Sequence, residues 1–320
     1  MVLPGSQQEE SEAPIILTES LCKNFGPVKA VQNMNLRVNK GELFGLIGPD
    51  GAGKTTTIRM LAGILAPTSG SAYIDGISVR DNPDQVKEHL AYMPQRFGLY
   101  QDLTVLENLL FYADLFGVPK KDRPGRIETL FSFSRLAPFS DRLAGALSGG
   151  MKQKLGLACA LIHSPRVLLL DEPTNGVDPV SRRDFWKILY DLLQEGITIL
   201  VSTAYLDEAE RTTRTAFMRE GSIMELGTPK ELKETVEGHM IEIIPSDSRA
   251  ARDILKIDPR ILDVSLFGDS LHVRLSNVSD EVYAKEALEK VGIEIKSFRR
   301  IAPAMEDVFL SVLTGKGNPP

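Results

Sequence analysis

The chain has 320 residues, 42% of them apolar and 25% charged, with a net charge of −6. That length allows one large α/β core plus a smaller unit. No apolar run reaches the ~18 residues that a membrane helix needs, because a charged residue, Gly or Pro interrupts each one. The negative balance and the lack of a long Lys/Arg run argue against nucleic acid as a partner. Cys22 and Cys159, the only cysteines, form neither a disulfide framework nor a metal-ligand spacing, which fits a reducing cytosol.

In chain order, residues 1–13 read as a disordered polar tail, carrying Gln7, Gln8, Glu9, Glu10 and Glu12 without the layout of a signal peptide. Ile15 to Thr18 and Met34 to Val38 alternate as strands and predict an antiparallel flap beside the main sheet. The apolar run Leu43 to Ile47 leads into a glycine-rich loop. A helix carrying Ile58, Leu61, Ala62 and Leu65 follows and is expected to end at Pro67. From Leu103 to Leu161 the period is mainly helical, with breaks expected at Pro119, Pro124 and Pro138, so residues 96–162 form a helical insert.

Val167 to Leu170 and Ile197 to Val201 are short continuous apolar runs, separated by an amphipathic helix around Phe185, Ile188, Leu189 and Leu192. Such runs suit strands buried on both faces of a parallel sheet. After Glu237 the pattern becomes strand, helix, two strands, helix and strand, the order of a ferredoxin-like unit. The expected organisation is a core over residues 14–236, a second domain over 237–315 and a short tail over 316–320.

Gly48-Pro49-Asp50-Gly51-Ala52-Gly53-Lys54-Thr55 has the spacing of a phosphate-binding loop and lies between a predicted strand and a predicted helix, the context such a match requires. Its glycines let backbone N–H groups turn toward a phosphate, the helix start adds a positive dipole end, and Lys54 supplies a point charge. Thr55 offers a hydroxyl to Mg²⁺. Asp171 and Glu172 end the run from Val167. Two adjacent carboxylates on a buried strand are costly unless a cation or a reaction uses them. Asp171 is expected to hold Mg²⁺ through water, and Glu172 to polarise an attacking water. Ser148 is a natural N-cap, and Gly149 and Gly150 beside it allow close approach to a second anion; a plain helix cap explains the same residues.

Together these motifs resemble the ATP-binding cassette family. The resemblance covers about Ile15 to Leu232: the phosphate loop from Gly48 to Thr56, Gln95 of the Q-loop, the Leu147 to Gln153 signature, Asp171 with Glu172, and Asp178 of the D-loop. It implies a P-loop NTPase core of parallel sheet plus antiparallel β-subdomain, a helical subdomain, and a small α+β, ferredoxin-like C-terminal domain. It also implies Mg-ATP bound between two cassettes arranged head to tail, so that one chain holds two half-sites. Lys54, Gln95 and Glu172 are then the catalytic residues, Thr55, Gln95 and Asp171 the metal-side residues, and Phe25 the ring on adenine. The rest of the nucleotide site comprises Gly48, Pro49, Asp50, Gly51, Ala52, Gly53, Thr55, Thr56, Ser148, Gly149, Gly150 and Asp178.

Pro303-Ala304-Met305-Glu306-Asp307-Val308-Phe309-Leu310 is similar to the terminal motif of ABC-2 type exporter cassettes, multidrug exporters among them. The chain looks most like the amino-terminal cassette of YbhF-like exporters, which carry two cassettes per chain. The implied partners are a second cassette, identical or not, and ABC-2 type permease subunits, which the segment from Phe97 to Asn108 is expected to meet. The implied location is the inner face of the plasma membrane.

The family places a switch histidine in the segment Ser202-Thr203-Ala204-Tyr205-Leu206-Asp207-Glu208, where this chain has Ala204. Its own site is therefore expected to be weakened. Tyr205, pointing the other way from an extended neighbour, is a poor substitute. A cassette that binds ATP only to complete a partner's site is the alternative. A non-transport ATPase is disfavoured by the lack of heptads, zinc-binding cysteine pairs or a basic arm.

Overall fold

The computed structural model describes residues 13–315, with side-chain exposure through 313. The tail expected over residues 1–13 lies outside the described residues except for Ala13, as does the 316–320 tail. The chain divides after Met224 into two compact units.

The first unit contains β1 (Ile16–Phe25), β2 (Val28–Val38), β3 (Leu43–Ile47), α1 (Lys54–Leu61), β4 (Ser69–Ile74), β5 (Ile77–Ser78), α2 (Pro83–His89) and β6 (Leu90–Met93). It continues with α3 (Val105–Leu115), α4 (Arg123–Ser134), α5 (Gly149–Leu161), β7 (Val167–Asp171), α6 (Pro179–Gln194), β8 (Thr198–Thr203) and β9 (Arg214–Arg219), while β10 (Ser222–Gly227) spans the division. Strands β3, β7 and β8 are buried at every residue. They form a sheet ordered β10-β9-β3-β8-β7-β6, whose pairs β3–β8, β7–β8, β6–β7 and β3–β9 are parallel. The continuous apolar runs were the legible sign of this arrangement.

A second sheet, β2-β1-β4-β5, is antiparallel. Both flap strands run longer than their sequence pattern. Register shifts between Thr18 and Leu21 and between Leu21 and Lys23, with Ser20 at φ 47°, break the two-residue alternation beyond Thr18. Helix α1 ends at Leu61, before the expected stop at Pro67, because Gly63 turns left-handed at φ 66°.

The insert is helical. In α3 the Thr104 hydroxyl accepts from the Glu107 N–H, and the Glu107 carboxylate accepts from the Thr104 N–H. Pro124 does not break a helix: it lies in the first turn of α4, where its missing N–H has no intrahelical partner to lose. Leu109, Ala113, Ile127, Leu130 and Leu155 join α3, α4 and α5 in one apolar core.

The second unit begins within β10 and adds α7 (Pro229–Glu234), β11 (His239–Pro245), α8 (Ser248–Leu255), β12 (Ile261–Phe267), β13 (Ser270–Leu275), α9 (Glu281–Glu289), β14 (Ile295–Arg300) and α10 (Met305–Gly315). The division lies earlier than the 236/237 boundary read from sequence, and α7 packs with α10 inside the second unit. The sheet order β12-β13-β11-β14, with antiparallel pairs, puts the first and third strands at the centre, as in a ferredoxin-like unit. Ala251, Leu255, Ala284 and Leu288 of the two helices pack on Ile241, Ile243, Leu271 and Val273.

Candidate functional site

Parallel pairing sets the site. Ile47 lies beside Thr203, and Asp171 beside Ser202, so the loops leaving β3, β7 and β8 emerge at one edge, the carboxyl ends of the strands. Open parallel sheets bind ligands at that edge. Gln95 joins them from the loop after β6, where Met93 pairs with Leu170.

The loop from Gly48 to Gly53 is shaped by close approach. A Cβ at Gly48 would run into the Met218 carbonyl oxygen, and one at Gly53, which sits at φ 101°, into that of Ala30. No side chain caps α1, so its first amides keep their donor capacity. Lys54 is only 4% exposed. Its ammonium donates to the carbonyl oxygens of Gly48 at 2.7 Å and Pro49 at 3.0 Å and lies 3.3 Å from Glu172 Oε1. An uncapped helix start, a glycine cradle and a buried cation form an anion site, and the residues present fit the phosphates of a nucleotide.

Glu172 receives two further donors on Oε2, Gln95 Nε2 at 3.1 Å and Asn175 Nδ2 at 3.3 Å. Asp171 is buried, and its Oδ1 accepts from the Thr55 hydroxyl and the Ser202 hydroxyl, each at 2.9 Å. Thr55 and Asp171 thus stand together at the phosphate loop as oxygen donors, and with Gln95 beside Glu172 this set suits Mg²⁺, a hard cation held by oxygen.

Asp50, Gly51, Ala52, Gly53, Lys54, Thr55, Thr56, Gln95 and Glu172 line one open cleft of about 650 Å³. Gly48, Pro49 and Asp171 lie outside that lining, though bonded to Lys54 and Thr55 in it, and Phe25, Ser148, Gly149, Gly150 and Asp178 lie outside it as well. Phe25 is half exposed beside the β1–β2 turn, one turn away from Val28 at the cleft wall, with Lys23 Nζ 5.1 Å from its ring centre. Ser148 caps α5 by accepting from the Met151 N–H at 3.3 Å, and Ser148 and Gly149 are exposed. Asp178 caps α6, accepting from the Val180 and Ser181 N–H groups. Hydrogen bonds from Ser181 hold its carboxyl below the usual carboxylate range.

Sequence reasoning missed Lys29, Gln32, Asn175 and Glu220 of the cleft wall, and Ser202 beneath it. Lys29 and Gln32 belong to the flap and Glu220 to the turn after β9. Backbone bonds from Gln32 to Gly221 and from Gly221 to Ala52 draw them together, which no local spacing announces. Ser202 did carry a signal, as the first polar residue after the apolar run Ile199 to Val201.

The architecture and site are those of a P-loop NTPase cassette. Residues 31–175 match the ABC transporter family, and residues 227–313 match the C-terminal domain of DrrA1-3-like ATP-binding proteins. The chain is 43% identical over 310 residues to the probable multidrug ABC transporter ATP-binding protein YbhF of Escherichia coli (strain K12). That match covers 95% of this chain but 53% of YbhF, so the chain spans about half the length of that relative. The daunorubicin/doxorubicin resistance ATP-binding protein DrrA of Streptomyces peucetius is 33% identical over 305 residues, 94% of this chain and 92% of DrrA. Among solved structures, the dimeric ATP-binding cassette MJ0796 bound to ADP and Pi matches with a TM-score of 0.60 and 26% identity, over 67% of this chain and 98% of that one. The chain belongs to the ATP-binding proteins of ABC transporters. Among its described residues no helix is long and apolar enough to cross a membrane.

Proposed function

We propose that the chain binds Mg-ATP between two cassettes arranged head to tail and couples nucleotide binding and hydrolysis to export through ABC-2 type membrane subunits at the inner face of the plasma membrane. The observation that carries the two-cassette reading is the separation of the half-sites. Lys54, Thr55, Gln95 and Glu172 share one cleft, whereas Ser148 and Gly149 are exposed outside its lining, at a helix start free to meet another copy's nucleotide. MJ0796 is a dimeric cassette, and YbhF is long enough for two such units.

Thr55, Asp171 and Gln95 are the residues that would hold Mg²⁺, which supplies positive charge to the phosphate oxygens. Lys54 places its ammonium on the phosphate side of Glu172. Glu172, aimed by Gln95 and Asn175, accepts a hydrogen bond from the attacking water. The water oxygen bonds to the γ-phosphorus, the bond to the β-phosphate oxygen breaks, and ADP and phosphate result.

Ala204 directly follows β8 and is exposed, with no donor on its side chain. Tyr205 does not take over the histidine's place in this reading, because its ring is engaged by Arg182, whose Cζ lies 4.0 Å from the ring centre. Loss of a positioned donor of this kind lowers rate about 10²- to 10³-fold. The chain's own site is thus slow, while its signature completes a competent site on a second cassette.

The deciding measurement is steady-state ATP hydrolysis by the purified chain, alone and with a second cassette, for the native sequence and Ala204→His, with Glu172→Gln as the inactive control. ATP binding with little turnover, raised by the histidine, is the expected result. Robust Glu172-dependent turnover with Ala204 in place overturns the weakened-site reading.

A further inference from the structure

Ser202 opens the segment in which the switch histidine is expected and has no role assigned there, yet it bonds to both acidic residues of the site, to the carboxylate of Asp171 and to the backbone of Glu172. It lies in β8, fully buried, after three apolar residues. Its hydroxyl donates to Asp171 Oδ1 at 2.9 Å and accepts from the Glu172 N–H at 3.1 Å. Its carbonyl oxygen accepts that same N–H, also at 3.1 Å. One residue therefore supplies both acceptors of the Glu172 amide and one of two donors to Asp171.

The Glu172 backbone explains why that matters. Its φ is 48°, in the left-handed region that side chains with a Cβ rarely adopt. Such a conformation persists only where its surroundings over-determine it. The amide of Glu172 is fixed from β8 by Ser202, and its carboxylate from the cleft by Lys54, Gln95 and Asn175. A buried serine needs a partner in any protein, and a bond back to its own strand would have met that need. Here the hydroxyl bridges instead to two consecutive residues at the end of the neighbouring strand.

We propose that Ser202 is a positioning residue for ATP hydrolysis: it holds the left-handed turn at Glu172 and the rotamer of Asp171 together, so that the metal-side carboxylate and the water-orienting carboxylate are set by one hydroxyl. This rests on the reading of the chain as a Mg-ATP hydrolase. The hydroxyl itself makes no bond to the phosphate loop or to Lys54, whose bonds to the Gly48 and Pro49 carbonyl oxygens do not involve it, so nucleotide affinity without metal stays, while metal binding and turnover fall.

The test compares the full chain with Ser202→Ala, each in the native and the Ala204→His backgrounds. The readouts are metal-free ATP affinity in EDTA, Mn²⁺ affinity in the presence of a non-hydrolysable ATP analogue, and kcat and KM with Mg²⁺. The expected result is a kcat about 10- to 100-fold lower with KM little changed, and Mn²⁺ affinity down by about tenfold, from loss of a bond to a charged group. Metal-free affinity should stay within about twofold, a standard narrower than the effect of one lost hydrogen bond. The proposal falls if Ser202→Ala keeps kcat and Mn²⁺ affinity, or if metal-free affinity drops in step with them, which marks general damage to the fold. Where the parent chain binds ATP but does not turn it over in either background, the hydrolase reading fails separately, and the Mn²⁺ measurement alone decides for or against Ser202.

Discussion

Lys54 and Glu172 meet at the mouth of the phosphate loop, Nζ to Oε1 at 3.3 Å, although one begins α1 and the other directly follows β7. The ammonium is also bonded to two carbonyl oxygens of its own loop, so it is held in place rather than free to swing. The pair puts a fixed positive charge next to the carboxylate that the proposed mechanism uses to orient water.

Replacing that cation with an apolar chain of similar length tests the arrangement. Lys54→Met should weaken ATP binding by about 10- to 100-fold, the range for losing interactions with a charged group. The circular dichroism spectrum should be preserved. Titration with a fluorescent ATP analogue measures the affinity, and unchanged binding would remove Lys54 from the site.

Gly48 makes a different demand, on space. The Met218 carbonyl oxygen of β9 passes where a Cβ would stand, and this contact is with backbone that has no side-chain freedom to move away. Gly48→Ala should destabilise the chain by about 1–3 kcal/mol, as over-packing usually does. Urea unfolding reads the change, and a midpoint shift near zero would show that β9 yields.

Much of this was legible in the residues because local pattern and chemistry coincided. The buried strands β3, β7 and β8 announced themselves as unbroken apolar runs, and the loop between Gly48 and Thr55 sat where its strand and helix context required. What was illegible depends on distant packing. The bulges of β1 hid most of that strand, and α10 was visible only as a motif without a secondary structure. Glu220 and Ser202 reach the site only because non-adjacent segments are brought side by side, whereas Asn175 stands three residues after Glu172 in no motif that marks it. Glu172's positive φ has no sequence signature at all, since glutamate is an unusual residue for it.

Beside the site, Glu208 is fully buried and its Oε1 accepts from the Thr174 hydroxyl at 2.8 Å and from Trp186 Nε1 at 3.0 Å. It ties the segment after Ala204 to the turn after Glu172 and to α6. Glu208→Leu leaves the indole N–H buried without an acceptor, which should cost about 1–3 kcal/mol of stability. Trp186 is the only tryptophan, so intrinsic fluorescence reports the site directly. A variant with unchanged stability and emission would show that Glu208 is dispensable.

In the second unit, Asp258 accepts from Arg260 Nε at 2.8 Å, Nη2 at 2.5 Å and its backbone N–H at 3.0 Å. These bonds, led by the guanidinium, lower its pKa from 3.8 to about 2. A folded pKa below the unfolded value means the stabilisation is complete above about pH 4 and is lost as pH falls toward about 2. Asp258→Asn should therefore lower stability by on the order of 1 kcal/mol near neutral pH, allowing for solvent screening. The gap to the native chain should narrow at about pH 3. Urea midpoints at the two pH values check this, and a gap independent of pH would assign the effect to something other than ionisation.

Gly149 separates structural from functional need most cleanly. It begins α5, its φ is not positive, and a Cβ built on it meets nothing within 4 Å, whereas Gly150 beside it is pressed against the Ser181 side chain. On folding grounds Gly149→Ala should be neutral or stabilising by up to about 1 kcal/mol, since alanine loses less backbone entropy in a helix. If this helix start closes over the nucleotide of a second cassette, the added methyl stands where backbone and phosphate must approach closely. ATP-driven dimerisation, followed by size-exclusion chromatography in the Glu172→Gln background, should then weaken even though the thermal midpoint is kept or raised. Full dimerisation with Gly149→Ala would show that the exposed glycine serves no partner nucleotide, and the two-cassette reading would lose its main structural support.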